Sequence, residues 1–199
     1  HLFYNYVIYN LLFYNDVIEI SWILFFLFHS EYKTQILYST TKSHLMNKII
    51  KLILASVPLI GGSLIGTFGQ SEEGRRWYES LDKPKYIPPS YVFAFVWPIL
   101  YILLGLAFYL FSHSNLTLTM FILNLSFNFM FPLFQFRFMS LTGSLISCWL
   151  TLLTAIGFAL TLPKSTIAVL LIVPYIVWLI FACIMITHTY MLNKKEESV

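Results

Sequence analysis

The residues of this chain that are able to do chemistry are mostly flat and uncharged. Trp97 and Tyr101 stand four apart in one apolar run, Trp178 lies in another, and Trp77 and Tyr78 adjoin in a short charged segment. A spacing of four is about one helical turn, so Trp97 and Tyr101 share a face. Rings of this kind can wall a slot for a planar, largely apolar ligand, since small-molecule pockets combine apolar and aromatic lining with a few placed polar groups. Asn124 is a candidate for such a group, with Asn128 one turn later on a similar face. An amide in mid-membrane is costly unless it bonds to backbone, to another side chain or to a ligand. A hydrogen bond between helices satisfies it equally well. Trp77 and Tyr78 likewise have a second reading, as interfacial anchors at headgroup level.

Other chemistries find little support. The chain has no HExxH and no GxSxG, and none of its 9 Asp and Glu residues falls in an apolar run from residue 51 onward. That removes the usual apparatus of a hydrolase or metalloenzyme. His188, near the end of the last run, can in principle ligate haem iron, but a single His at that depth is more often an interfacial side chain. No metal site is expected. Cys148 and Cys183 have no metal-site or disulfide-framework spacing and read as small buried hydrophobes. The net charge of +3 is scattered over loop ends, which argues against nucleic acid as a partner.

The elements that must position these residues follow from composition. Hydrophobic residues make up 58% of the chain and charged residues 11%, so the solvent is lipid. Stretches free of Asp, Glu, Lys and Arg run from Lys51 to Glu72, Lys85 to Arg137, Arg137 to Lys164 and Lys164 to Lys194. Each holds at least one helix of roughly 20 apolar residues, the length a hydrocarbon core requires. The longest stretch is divided by a polar break at 112–115. The expected fold is all-α, an integral membrane bundle of five helices near 49–69, 91–111, 117–137, 141–162 and 166–190. The runs are continuous rather than alternating, which favours helices over a transmembrane barrel.

The first inter-helix loop has its own design. Ser71 can cap a short amphipathic helix with Glu72 and Glu73 in its first turn. Glu72 with Arg76, and Glu79 with Lys83, are four apart with the acid first, the favourable order for ion pairs. Pro84, Pro88 and Pro89 then force a stiff strap across the bundle mouth, a lid candidate. Residues 1–45 are expected to be an upstream extension outside the fold, with 46–199 the five-helix domain. A short hydrophobic element around 17–28 and a signal peptide beginning at Met46 are the rival readings.

Five segments carry a family resemblance. Trp77-Tyr78 through Lys83-Pro84 to Pro88-Pro89 fits WYxxLxKPxxxPP, and Val96-Trp97 with Leu100-Tyr101 and Gly105 fits VWxxLYxxxG. Pro174-Tyr175 with Trp178, then Phe181-Ala182, fits PYxxW followed by FA, and Leu123-Asn124 fits an LN pair. Gly61, Gly62, Gly66 and Gly69 match a glycine-rich first helix, with Gly62 and Gly66 as a small-xxx-small face. Over roughly residues 50–190 the chain resembles the translocator protein family, also called tryptophan-rich sensory proteins. It departs at Phe127, where the family usually has Trp, and at Ile184-Met185-Ile186, where the family often has Asn.

The resemblance implies a membrane receptor or sensor for tetrapyrroles, meaning porphyrins and haem-pathway intermediates, with isoquinoline and benzodiazepine drugs as other ligands. It implies no cofactor beyond porphyrin or haem held as ligand. The ligand-binding set is then Trp77, Tyr78, Pro88, Trp97, Tyr101, Asn124, Phe127 and Trp178, with Arg75, Arg76 and Lys83 placed to meet propionates. Light-dependent porphyrin breakdown reported for some members would fall to Trp97 and Trp178. The alternative is a transporter of the same ligands, but five unequal spans without a repeat favour binding over ion-coupled transport. Besides the ligand, the expected partners are membrane lipid and a second copy of the chain in a homodimer. The family's reported dimer contact lies on the third helix, which carries no Gly or Ala for close packing. A bacterial inner membrane is the expected location, with basic residues placing the lid loop and C-terminus in the cytoplasm.

Overall fold

The computed structural model describes residues 48–194, so the expectation for residues 1–45 lies outside the described residues. The described chain is helical: α1 Lys48–Phe68, α2 Glu72–Ser80, α3 Ser90–Phe111, α4 Asn115–Phe136, α5 Leu141–Thr161 and α6 Thr166–Lys194. All but α2 are long and apolar enough to cross a membrane. The expected spans agree with these to within a few residues, the largest difference being the end of α6, which continues past 190.

Helix starts follow from side chains able to satisfy the first free N–H groups. Ser71, Ser114 and Ser140 accept from the backbone N–H of Gly74, Thr117 and Gly143 respectively. Proline occurs inside α1, α3, α4 and α6, at Pro58, Pro98, Pro132 and Pro174. Membrane helices tolerate these because neighbouring helices and hydroxyl side chains take up the freed backbone groups.

The spans pack in the ring order α1, α3, α6, α5, α4 and back to α1, with α2 lying on the end of α4. Their outward faces are apolar: Leu52, Phe95, Leu153, Leu160 and Leu170 are each more than half exposed, which in lipid is the favourable arrangement. In the half of the bundle away from the strap, Phe108 stacks on Phe121 at 4.1 Å between centroids and Phe121 meets Phe158 at 5.7 Å. With Leu104 and Ala155, both fully buried, these rings make a solid apolar floor.

Glycines set how closely α1 approaches its neighbours. A Cβ on Gly105 would collide with the carbonyl oxygen of Ala55, so α3 touches the backbone of α1 there. Gly62 lies against the ring of Tyr101, an intrachain contact, whereas Gly66 faces open space. The expected Gly62 and Gly66 face is therefore not a single packing stripe. Gly105→Ala is expected to destabilise the bundle by about 1–3 kcal/mol through overpacking, lowering the thermal midpoint in detergent, while Gly66→Ala leaves the midpoint unchanged. A Gly105→Ala protein as stable as the parent would refute this account of the α1 to α3 contact.

Candidate functional site

Above the apolar floor, four spans contribute to one chain of hydrogen bonds. Tyr101 on α3 donates its hydroxyl to Asn128 Oδ1 at 2.7 Å. Asn128 Nδ2 donates to the Tyr175 hydroxyl on α6 at 3.1 Å, and that hydroxyl donates to Asn124 Oδ1 at 2.9 Å. Asn124 Nδ2 completes the path on α5, donating to the Thr151 carbonyl at 2.9 Å and to Thr154 Oγ1 at 3.3 Å. Asn124 and Tyr175 are fully buried and Asn128 nearly so. The spacing of four residues between Asn124 and Asn128 puts both amides on the inner face of α4, where one hydroxyl can serve them both.

Aromatic rings cover this chain on the strap side. Trp97 lies 5.4 Å from Tyr101 and 6.5 Å, edge to face, from Tyr175. Phe129 of α4 closes on Tyr101 at 6.4 Å. Between α3 and α6 a second ladder rises: Phe93 meets Trp178 at 5.6 Å, and Trp178 meets Phe181 at 5.7 Å. The Trp178 indole nitrogen is buried and has no hydrogen-bond partner. A buried donor left unpaired costs free energy, so it marks a position where an acceptor would be gained. An apolar groove of about 200 Å³ opens between α1 and α4, lined by Leu54, Val57, Phe121, Ile122, Leu125, Ser126 and Phe129, and shares Phe129 with the aromatic cluster.

The strap reaches the top of the second ladder. Tyr86 lies 6.4 Å from Phe181 and 5.9 Å from His188, with its hydroxyl 3.2 Å from His188 Nδ1. Asn193 fixes the strap's beginning through its amide, accepting from the Asp82 N–H at 3.1 Å and donating to the Asp82 carbonyl at 2.9 Å. The short helix α2 is held to α4 at its other end. Ser71 donates through both its N–H and its hydroxyl to the Phe136 carbonyl, and a Cβ at Gly74 would collide with that same carbonyl.

Of the expected ligand-binding residues, Trp97, Tyr101 and Asn124 are joined through Tyr175 and the relay, and Trp178 stands in the second ladder between α3 and α6. Pro88 sits half-buried in the strap. Tyr78 lies elsewhere, its ring 5.3 Å from Phe136 and 4.9 Å from Lys83 Nζ, and burial raises its phenol above the ordinary range. Trp77 and Phe127 are half-buried, and neither is among the ring contacts of the cluster. Glu72 and Arg76 pair as expected, at 3.9 Å on the surface. Lys83 does not pair with Glu79. Its ammonium donates instead to the carbonyls of Tyr78, Glu79 and Leu81 around the end of α2.

Tyr175, Phe93, Phe129 and Tyr86 were absent from the expected set. Tyr175 had a usable signal: it follows Pro174, three residues before Trp178, in a span that would have to satisfy the Asn124 amide. Tyr86 had none, because its partner His188 is 102 residues away. Among the described residues no group of three or more His, Cys, Asp or Glu could hold a metal ion.

Comparison with known proteins gives a consistent result. The model of the TspO/MBR family matches residues 54–191. The chain is 25% identical over 150 residues to the tryptophan-rich protein TspO of Archaeoglobus fulgidus, covering 73% of this chain and 98% of that one. It is 28% identical over 158 residues to the translocator protein of Ovis aries, covering 71% and 94%. With protein CrtK of Rhodobacter capsulatus it shares 25% identity over 160 residues, covering 75% and 99%.

Tyr175→Phe is expected to remove two buried hydrogen bonds while keeping the ring. At roughly 0.6 kcal/mol per bond in a membrane bundle, and more where an amide is left unpaired, the loss is about 1–2 kcal/mol. Unfolding in mixed micelles with increasing sodium dodecyl sulfate measures it. In a double-mutant cycle with Asn124→Leu the two losses should be strongly non-additive, and simple additivity would mean the residues do not act together.

Proposed function

This chain belongs to the TspO/MBR family, and from that premise we propose that it is a membrane receptor holding a planar, largely apolar ligand of the tetrapyrrole class against the Trp97, Tyr101, Tyr175 and Trp178 cluster. The observation that carries the proposal is the buried Trp178 indole N–H with no partner, set in a wall of aromatic rings. A planar macrocycle gains stacking of about 0.5–1.5 kcal/mol per ring pair beyond the area it buries. An acceptor on the ligand, taking the free indole N–H, adds about 0.5–1.5 kcal/mol.

Through their polar groups Tyr101, Asn128, Tyr175 and Asn124 hold the walls rather than bond to the ligand. Their polar bonds are made within the protein, so the relay fixes the rotation of α3, α4 and α6 and hence the direction of the rings. The strap, stiffened by its prolines, would lie over the ligand from the α6 side, where Tyr86 meets Phe181 and His188. Arg75 is exposed and available to propionates, Arg76 is exposed but paired with Glu72, and Lys83 is taken up in closing α2. Binding is preferred over ion-coupled transport because the five spans contain no Asp or Glu. The distribution of Lys and Arg among the loops supports a cytoplasmic strap and C-terminus.

Titration of the full chain in detergent with protoporphyrin IX, followed by quenching of tryptophan fluorescence, tests the proposal. Saturable quenching is expected, and Trp97→Phe with Trp178→Phe should weaken the affinity about tenfold, the sum of one lost hydrogen bond and the weaker stacking of two smaller rings. Equal quenching of parent and double variant, unsaturated with concentration, would mean that porphyrin only dissolves in the micelle. Repeating the titration under illumination asks whether Trp97 and Trp178 also promote breakdown, read as loss of the porphyrin absorption band in the parent and its retention in the double variant.

A further inference from the structure

The chain has 2 cysteines, one on α5 and one on α6, and the bundle brings them face to face. Cys148 Sγ lies 3.3 Å from Cys183 Sγ, and both are free thiols. Cys183 is fully buried and Cys148 is 4% exposed. The two are 35 residues apart in sequence, so the pairing comes from helix packing and not from local chain geometry. Neither thiol bonds to any part of the hydrogen-bonded relay described above. A disulfide requires about 2.05 Å between sulfurs, so closure needs a further approach of about 1.2 Å by two side chains already in contact.

We propose that Cys148 and Cys183 form an oxidisable dithiol inside the membrane bundle, closing to an intramolecular disulfide in response to a small neutral peroxide. In the first step one sulfur attacks a peroxide oxygen, the O–O bond breaks, and a sulfenic acid and one water form. In the second step the other sulfur attacks the sulfenic sulfur, the S–OH bond breaks, and a second water leaves as the S–S bond forms. Overall the two thiols lose two electrons and two protons, and hydrogen peroxide is reduced to two waters. The charge-free products suit an apolar interior, and a thiol reductant reverses the reaction by exchange.

A buried thiol reacts slowly at the first step. The second step does not share that limit, because the resolving sulfur is already in contact, which protects the sulfenic acid from further oxidation. The resulting bond joins α5 to α6 one turn from Thr151, the residue whose carbonyl accepts from Asn124. The dithiol thus adjoins the backbone end of the relay without being part of it.

Exposed Lys164 lies between the two helices and provides the test. The full chain in detergent is treated with hydrogen peroxide, its remaining thiols are alkylated, and the denatured protein is cut with a protease specific for lysine. Complete cleavage separates 86–164, carrying Cys148, from 165–194, carrying Cys183. The proposal expects these fragments to remain joined without reductant, at a mass two hydrogens below their sum, and to separate with dithiothreitol. Cys183→Ser should give separate fragments under both conditions, and the parent with and without reductant decides the matter even if that variant folds poorly. Fragments that separate although the thiols have been consumed would overturn the proposal. So would two thiols that still titrate after prolonged peroxide treatment, or a disulfide found only between copies of the chain.

Discussion

A side-chain amide in hydrocarbon has no water to turn to, and in this bundle Asn124 and Asn128, two of the amides of α4, find partners through a shared set of neighbours. Asn124 and Asn128 share the Tyr175 hydroxyl, which donates to one and accepts from the other. Through Tyr101 and Thr151 the same bonds extend to α3 and α5. Four of the five spans are thereby fixed in rotation as well as in position. Apolar packing alone would not achieve this, since lipid tails compete equally well for apolar surface. The direction in which Trp97 and Trp178 face follows from that constraint.

The number, length and order of the spans could be read from the sequence because lipid imposes them. A stretch of about 20 residues without charge has few alternatives. The inward face of α4 was legible for the same reason, since two amides one turn apart must point toward partners. What could not be read was the rotation of α6. It is apolar on nearly every side, so nothing in its composition indicates whether Tyr175, Trp178 or Cys183 faces the interior. The opposition of Cys148 and Cys183 depends on that rotation, and the sequence suggested only two separate buried thiols.

The first loop shows the opposite balance. Its short helix, its Ser71 cap and its proline strap follow from local rules, and all three are present. The roles of its side chains depended on what lay beneath. Lys83 gave up the favourable spacing to Glu79 because three carbonyls around the end of α2 converge on its ammonium, and an exposed ion pair contributes little in comparison. Tyr78 turned toward Phe136 because Gly74, four residues earlier, brings that face of α2 against the end of α4. The strap residue that meets the aromatic ladder is therefore Tyr86 and not the Trp77 and Tyr78 pair.

The amide of Asn193 holds the backbone of Asp82 from 111 residues further along the chain. A ribosome completes the first loop long before it reaches the residue that fastens it. During insertion the strap is thus untethered while four helices are assembled, and it is secured only when the last helix is nearly finished. The cover over the aromatic cluster is then a late product of biosynthesis, and a chain released before Asn193 would carry every wall of the site without the latch.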